Sequence, residues 1–78
     1  MYKEKIKLAT LEDVREFVDI CTSFECDINI YSGNRMSDAK SISGVLCIAA
    51  GKEVMVQAVS SNEDIIVKFI NDIKKFEV

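Results

Sequence analysis

The chain has 78 residues, 49% of them hydrophobic and 29% charged, with a net charge of −3 and no histidine. A chain of 78 residues holds one hydrophobic core, so a single domain over 1–78 is expected. The acidic balance repels phosphate backbones and anionic headgroups, which argues against nucleic acid and membrane surfaces as partners, and the missing imidazole excludes histidine acid–base or metal chemistry.

The first segment, residues 2–8, places Tyr2, Glu4, Ile6 and Leu8 on one face and Lys3, Lys5 and Lys7 on the other. That alternation predicts a half-buried strand with a wet lysine face. It is unlike the apolar stretch of a secretory signal, and no apolar run approaches the roughly 18 residues of a membrane span, so a cytoplasmic location is expected. Thr10 is the predicted N-cap of a helix, with Glu12 and Asp13 suited to its positive first turn. Leu11, Val14, Phe17, Val18 and Cys21 recur at three- and four-residue steps and predict its buried stripe, and Ser23 and Phe24 close it.

From Cys26 to Ser32 the chain alternates again, Ile28 and Ile30 inward, Asp27 and Asn29 outward. Gly33-Asn34 signals a turn and Arg35-Met36-Ser37 a short return strand. Ser41 to Gly51 reads as a short helix, opened by serine and stopped by glycine. Glu53 to Val59 is a strand with Val54, Val56 and Ala58 on one face. Ser61-x-x-Asp64 predicts the cap of a last helix, with Ile66, Phe69, Ile70 and Ile73 as its core stripe and Lys74 and Lys75 near its negative end. The order β-α-β-β-α-β-α predicts an α+β fold, an antiparallel sheet with helices over one face and the other face wet. Pattern alone leaves a ferredoxin-like βαββαβ arrangement open.

Cys21, Cys26 and Cys47 offer neither a disulfide framework nor a metal site: their number is odd and Cys21-x4-Cys26 is not a metal-binding pair. They read as small hydrophobes, Cys21 and Cys47 on apolar faces. Glu12 with Asp13 and Glu63 with Asp64 stand in first helical turns, where acids serve the dipole. The three glycines show no phosphate-cradling spacing. These residues call for no cofactor and no metal, and suggest no enzyme.

Asp27-Ile28-Asn29-Ile30-Tyr31-Ser32-Gly33-Asn34-Arg35, followed by Lys40-Ser41-Ile42-Ser43-Gly44-Val45-Leu46, resembles the HPr family of phosphocarrier proteins. The similarity is good over Phe24 to Ile48 and follows the element order elsewhere, with shortened segments after the first strand and after Ile48. It implies an open-faced β-sandwich, a four-stranded antiparallel sheet with three helices on one face. In that family a His-Ala-Arg-Pro stretch opens the first helix, and the histidine relays a phosphoryl group from enzyme I to sugar transport components. Here the histidine's place falls on Thr10, the arginine's on Glu12 and the proline's on Asp13, a degenerate phosphorylation site. A phosphothreonine is a stable ester and a poor donor, and the two carboxylates repel an added phosphate.

The resemblance also matches Ser41 to the serine that HPr kinase phosphorylates in relatives from low-GC Gram-positive bacteria, turning them into co-regulators of transcription. By its position Ser41 is equally the cap of the short helix. The matching partner surface comprises Lys40, Ile42 and Leu46, with Ser43 where the family usually has methionine. The implied function is non-catalytic regulation through protein contacts with HPr kinase, a transcriptional regulator or a phosphotransferase-system component, controlled at Ser41. The alternative is a decoy that binds enzyme I or a transport component without accepting phosphate.

Overall fold

Strands β1 (Glu4–Lys7), β2 (Asp27–Ser32), β3 (Arg35–Asp38) and β4 (Glu53–Val59) form one sheet in a computed structural model that describes residues 3–78. Helices α1 (Leu11–Thr22), α2 (Ile42–Ala49) and α3 (Glu63–Asp72) and a 3-10 turn at Lys74–Phe76 complete the order. The strands run β1-β4-β2-β3 with every neighbouring pair antiparallel. A ferredoxin-like sheet would put the first strand between the fourth and third; here β1 is a border strand, so that alternative is excluded.

Strand alternation sorts the side chains as the pattern requires. Ile6, Ile28, Ile30, Val54, Val56 and Ala58 turn to the helices and are buried, whereas Lys5 and Lys7 face water. Leu8, just beyond the end of β1, is also buried. Tyr2, expected on that inner face, lies outside the described residues. The helices complete the core with Val14, Phe17, Val18, Cys21, Val45, Ile48, Phe69 and Ile73. Phe17 meets Phe76 edge-to-face at 6.1 Å and Phe24 meets Phe69 at 5.5 Å. Each buried aromatic is worth about 2–3 kcal/mol through area alone, so these contacts help tie the middle of α1 and the residue beyond its cap to the C-terminal elements.

Several expectations are corrected. Leu11, placed in the α1 stripe, is 55% exposed at the first position of the helix. Cys47 is exposed, since Val45, Ile48 and Ala49 form the buried stripe of α2 and residue 47 falls on the opposite side. Asn62 rather than Ser61 caps α3, its Oδ1 accepting from the Asp64 amide at 2.9 Å. Ile65, outside the expected stripe, packs against the core in phase with Phe69 and Ile73, and Ile65, Ile66 and Ile70 are all half-buried. Lys74 and Lys75 lie in the 3-10 turn beyond α3, and Lys75 pairs with Glu16 of α1 instead of the helix end.

Two turns use glycine for its left-handed freedom: Gly33 (φ 61°) in the β2–β3 hairpin and Gly51 (φ 69°) after α2. At the border of β1, Ile6 bridges to Glu77 and the Val78 amide donates to the Lys5 carbonyl at 3.3 Å. The C-terminal residues thus lie along the outer border of β1.

Candidate functional site

The start of α1 is closed by its own side chains. Thr10 has extended backbone (φ −131°, ψ 165°), and its Oγ1 accepts from the Asp13 amide at 3.1 Å. Asp13 makes a second contact, its Oδ2 accepting from the Ala9 amide at 3.1 Å. The two contacts satisfy the Asp13 and Ala9 amides, which would otherwise be open to an incoming anion. A carboxylate therefore already occupies the position where a helix N-terminus attracts phosphate, and Glu12 stands exposed beside it.

Thr10 borders a shallow hollow of about 170 Å³ between α1 and the end of α2, whose walls include Leu8, Leu11, Leu46 and Gly51. Leu46 is 39% exposed and Ile42, one turn earlier on the same face of α2, is 43% exposed. With Leu11 they form an apolar strip that neither the sheet nor the other helices cover. The structure thus brings Thr10, Leu46 and Ile42 onto one side of the molecule. The exposure of Leu11 had no sequence signal, because it obeys the same periodicity as its buried neighbours.

Ser41 begins α2 at the other end of that strip. Its Oγ accepts from the Gly44 amide at 3.3 Å and lies 3.3 Å from Ser43 Oγ. Ser41 is half-buried and Ser43 exposed, so a polar hydroxyl neighbours the cap. Gly44 is held close to β3: a β-carbon there would lie 2.0 Å from Ser37 Oγ and 3.2 Å from Ser37 Cβ. The glycine lets the first turn of α2 settle on the sheet, which fixes the height of Ile42 and Leu46.

Lys40 is turned elsewhere. Its amide donates to Asp38 Oδ1 at 2.9 Å, and its Nζ crosses to donate to the Phe24 carbonyl at 2.6 Å, linking the loop before α2 to the end of α1. Its half-buried stem and engaged ammonium make it a strut between two loops. The nearby Cys21 thiol is pushed up to about 12 by burial, the Lys40 charge opposing that rise only in part. It is a core group without thiolate character, and all three cysteines are free. Among the described residues no group of histidine, cysteine, aspartate and glutamate could hold a metal. Nor is any described helix long and apolar enough to cross a membrane.

Comparison with known proteins agrees with this geometry. Residues 13–75 match the family model described as the PTS HPr component phosphorylation site, a match that begins three residues beyond Thr10. No curated protein matches the chain. Among solved structures, HPr-C-His from Thermoanaerobacter tengcongensis is similar at 23% identity and a TM-score of 0.73, over 96% of this chain and 92% of that one. A histidine-containing phosphocarrier protein from Mycoplasma is 21% identical with a TM-score of 0.71, over 95% and 89% of the two chains. The phosphocarrier protein HPr from Bacillus anthracis is 20% identical with a TM-score of 0.64, over 91% and 94%. The strand order, the three helices on one face and the span of the family match lead to one conclusion: the chain belongs to the HPr family of phosphotransferase-system proteins.

Proposed function

We propose that this HPr-family chain, acting in the cytoplasm as one domain over 1–78, works through protein contacts and does not relay phosphoryl groups. The observation that carries the reading is the Thr10 and Asp13 arrangement, a hydroxyl bound to the Asp13 amide and a carboxylate bound to the Ala9 amide, where a carrier needs a free imidazole. A threonine ester would not pass its phosphoryl group onward, and the carboxylates would oppose its formation. What remains usable is the face of α2, with Ile42 and Leu46 exposed and Ser41 at its head.

Ser41 is the regulatory position in this reading, and its partners are HPr kinase and a transcriptional regulator. The γ-phosphoryl group of ATP would pass to Ser41 Oγ, with ADP leaving and the hydroxyl proton released. The product phosphate would sit at the positive end of the α2 dipole, where its charge is stabilised. Incubation with HPr kinase and ATP, followed by mass spectrometry, should place one phosphate on Ser41 and none on the Ser41→Ala variant. An unmodified Ser41 would refute the regulatory reading. In the same experiment enzyme I with its phosphoryl donor should leave Thr10 unmodified.

The decoy reading draws support from the hollow beside Thr10, where Leu11 and Leu46 offer an apolar contact at the end that relays phosphate in carriers. Titration of labelled protein with enzyme I separates the two, because a decoy must bind it and a regulator need not.

A further inference from the structure

Ser41 and Lys40 are chain neighbours whose polar groups serve different masters. The Ser41 hydroxyl faces the first turn of α2, whereas the Lys40 ammonium is stretched across to the Phe24 carbonyl at 2.6 Å. That carbonyl belongs to the residue that follows the α1 cap at Ser23. The Phe24 ring rests edge-on against Phe69 of α3 at 5.5 Å, and the Lys68 ammonium lies over it at 5.4 Å. Phe24 is thus a junction: its carbonyl is held by the loop before α2 and its ring by α3.

We infer that Lys40 couples the modification state of Ser41 to the α1–β2 junction, by leaving the Phe24 carbonyl for a phosphate on its neighbour. The inference rests on the proposed modification of Ser41 and adds its structural consequence. An ammonium on a flexible four-carbon stem is attracted more strongly to a group bearing nearly two negative charges than to a neutral carbonyl dipole. The other groups facing the modified oxygen, the Gly44 amide and the Ser43 hydroxyl, are neutral donors, and the helix dipole offsets only part of nearly two negative charges. The Asp38 carboxylate is engaged by the Lys40 amide, and its negative charge adds to the need for a cation there. Once the ammonium moves, the Phe24 carbonyl loses its side-chain donor and the short segment Ser23–Cys26 is freer to open. The signal then reaches α3 through the Phe24–Phe69 contact.

The test uses the full chain with phosphoserine incorporated genetically at position 41, so that no kinase is required. Carbonyl chemical shifts and amide exchange are read by NMR. The expected result is a shifted Phe24 carbonyl resonance and several-fold faster amide exchange at Glu25 and Cys26 on phosphorylation. Lys40→Met without phosphate should reproduce both changes, and phosphoserine should then add nothing further. Lys40→Gln, which keeps a neutral donor, should place the unmodified protein between the two. Overturning results are an unmoved Phe24 carbonyl in the phosphoserine protein, or an equal phosphate-induced shift with and without Lys40. A kinase that ignores Ser41 would refute the functional proposal while leaving this coupling measurement standing.

Discussion

A methyl group added at Gly44 separates ordinary helix energetics from the packing of α2 on the sheet. Glycine inside a helix is about 0.8–1.0 kcal/mol less favourable than alanine, so Gly44→Ala in an open helix would stabilise the protein by about that amount. Here the new Cβ would stand 2.0 Å from Ser37 Oγ, 3.2 Å from Ser37 Cβ and 3.4 Å from Ser41 Oγ. Overpacking of this kind costs about 1–3 kcal/mol. The closest contact is with a hydroxyl that can rotate aside, whereas Ser37 Cβ at 3.2 Å can give only a little, so the cost falls near the middle of that range and leaves a net loss of about 1 kcal/mol after the propensity gain. Urea unfolding followed by circular dichroism measures it, with an unchanged slope expected because the exposed surface is the same. Ser37→Ala removes the hydroxyl and leaves the milder contacts at 3.2 Å and 3.4 Å, so the double variant should lie within about 0.5 kcal/mol of Ser37→Ala alone. A Gly44→Ala protein about 1 kcal/mol more stable than the parent would refute the close approach of α2 to β3.

Thr10→Ala should lower stability by about 1 kcal/mol through loss of the α1 cap, while Thr10→Ser should cost only a few tenths; a thermal melt unchanged by Thr10→Ala would contradict the capping pair. In the native protein a thiol reagent should modify Cys47 rapidly and spare buried Cys21 until unfolding; equal rates at the two would contradict the burial. Because burial lifts the Cys21 thiol from 9.0 to about 12, the folded state holds its proton where the unfolded chain releases it. Its contribution is complete below pH 9 and is lost between pH 9 and about 12, by about 1.4 kcal/mol per pH unit, and Cys21→Ala should flatten that slope.

Period-two alternation and helical stripes identified the strands, the helices and most of the core, because burial on one face leaves its mark on each segment separately. The strand order required more: β1 pairs with β4, which lies in the last third of the sequence, and pattern is silent on that. At the site, Thr10 and Ser41 were legible as caps, since a hydroxyl before an apolar stripe has a local purpose. Leu11, Cys47 and Lys40 were not. Whether Leu11 is covered depends on tertiary packing at the start of α1, and the partner of Lys40 lies 16 residues away in the chain. The cap of α3 falls on Asn62 and not Ser61 because adjacent polar residues compete for the same amides.

The contact of Glu77 and Val78 with β1 bears on self-association. A sheet with two exposed borders can add copies at both and grow without limit, whereas one with a single free border stops when two copies meet. Here the final residues shield part of one border, leaving the four-residue β3 as the more open end. Strand-to-strand joining through that end would close on itself as a pair.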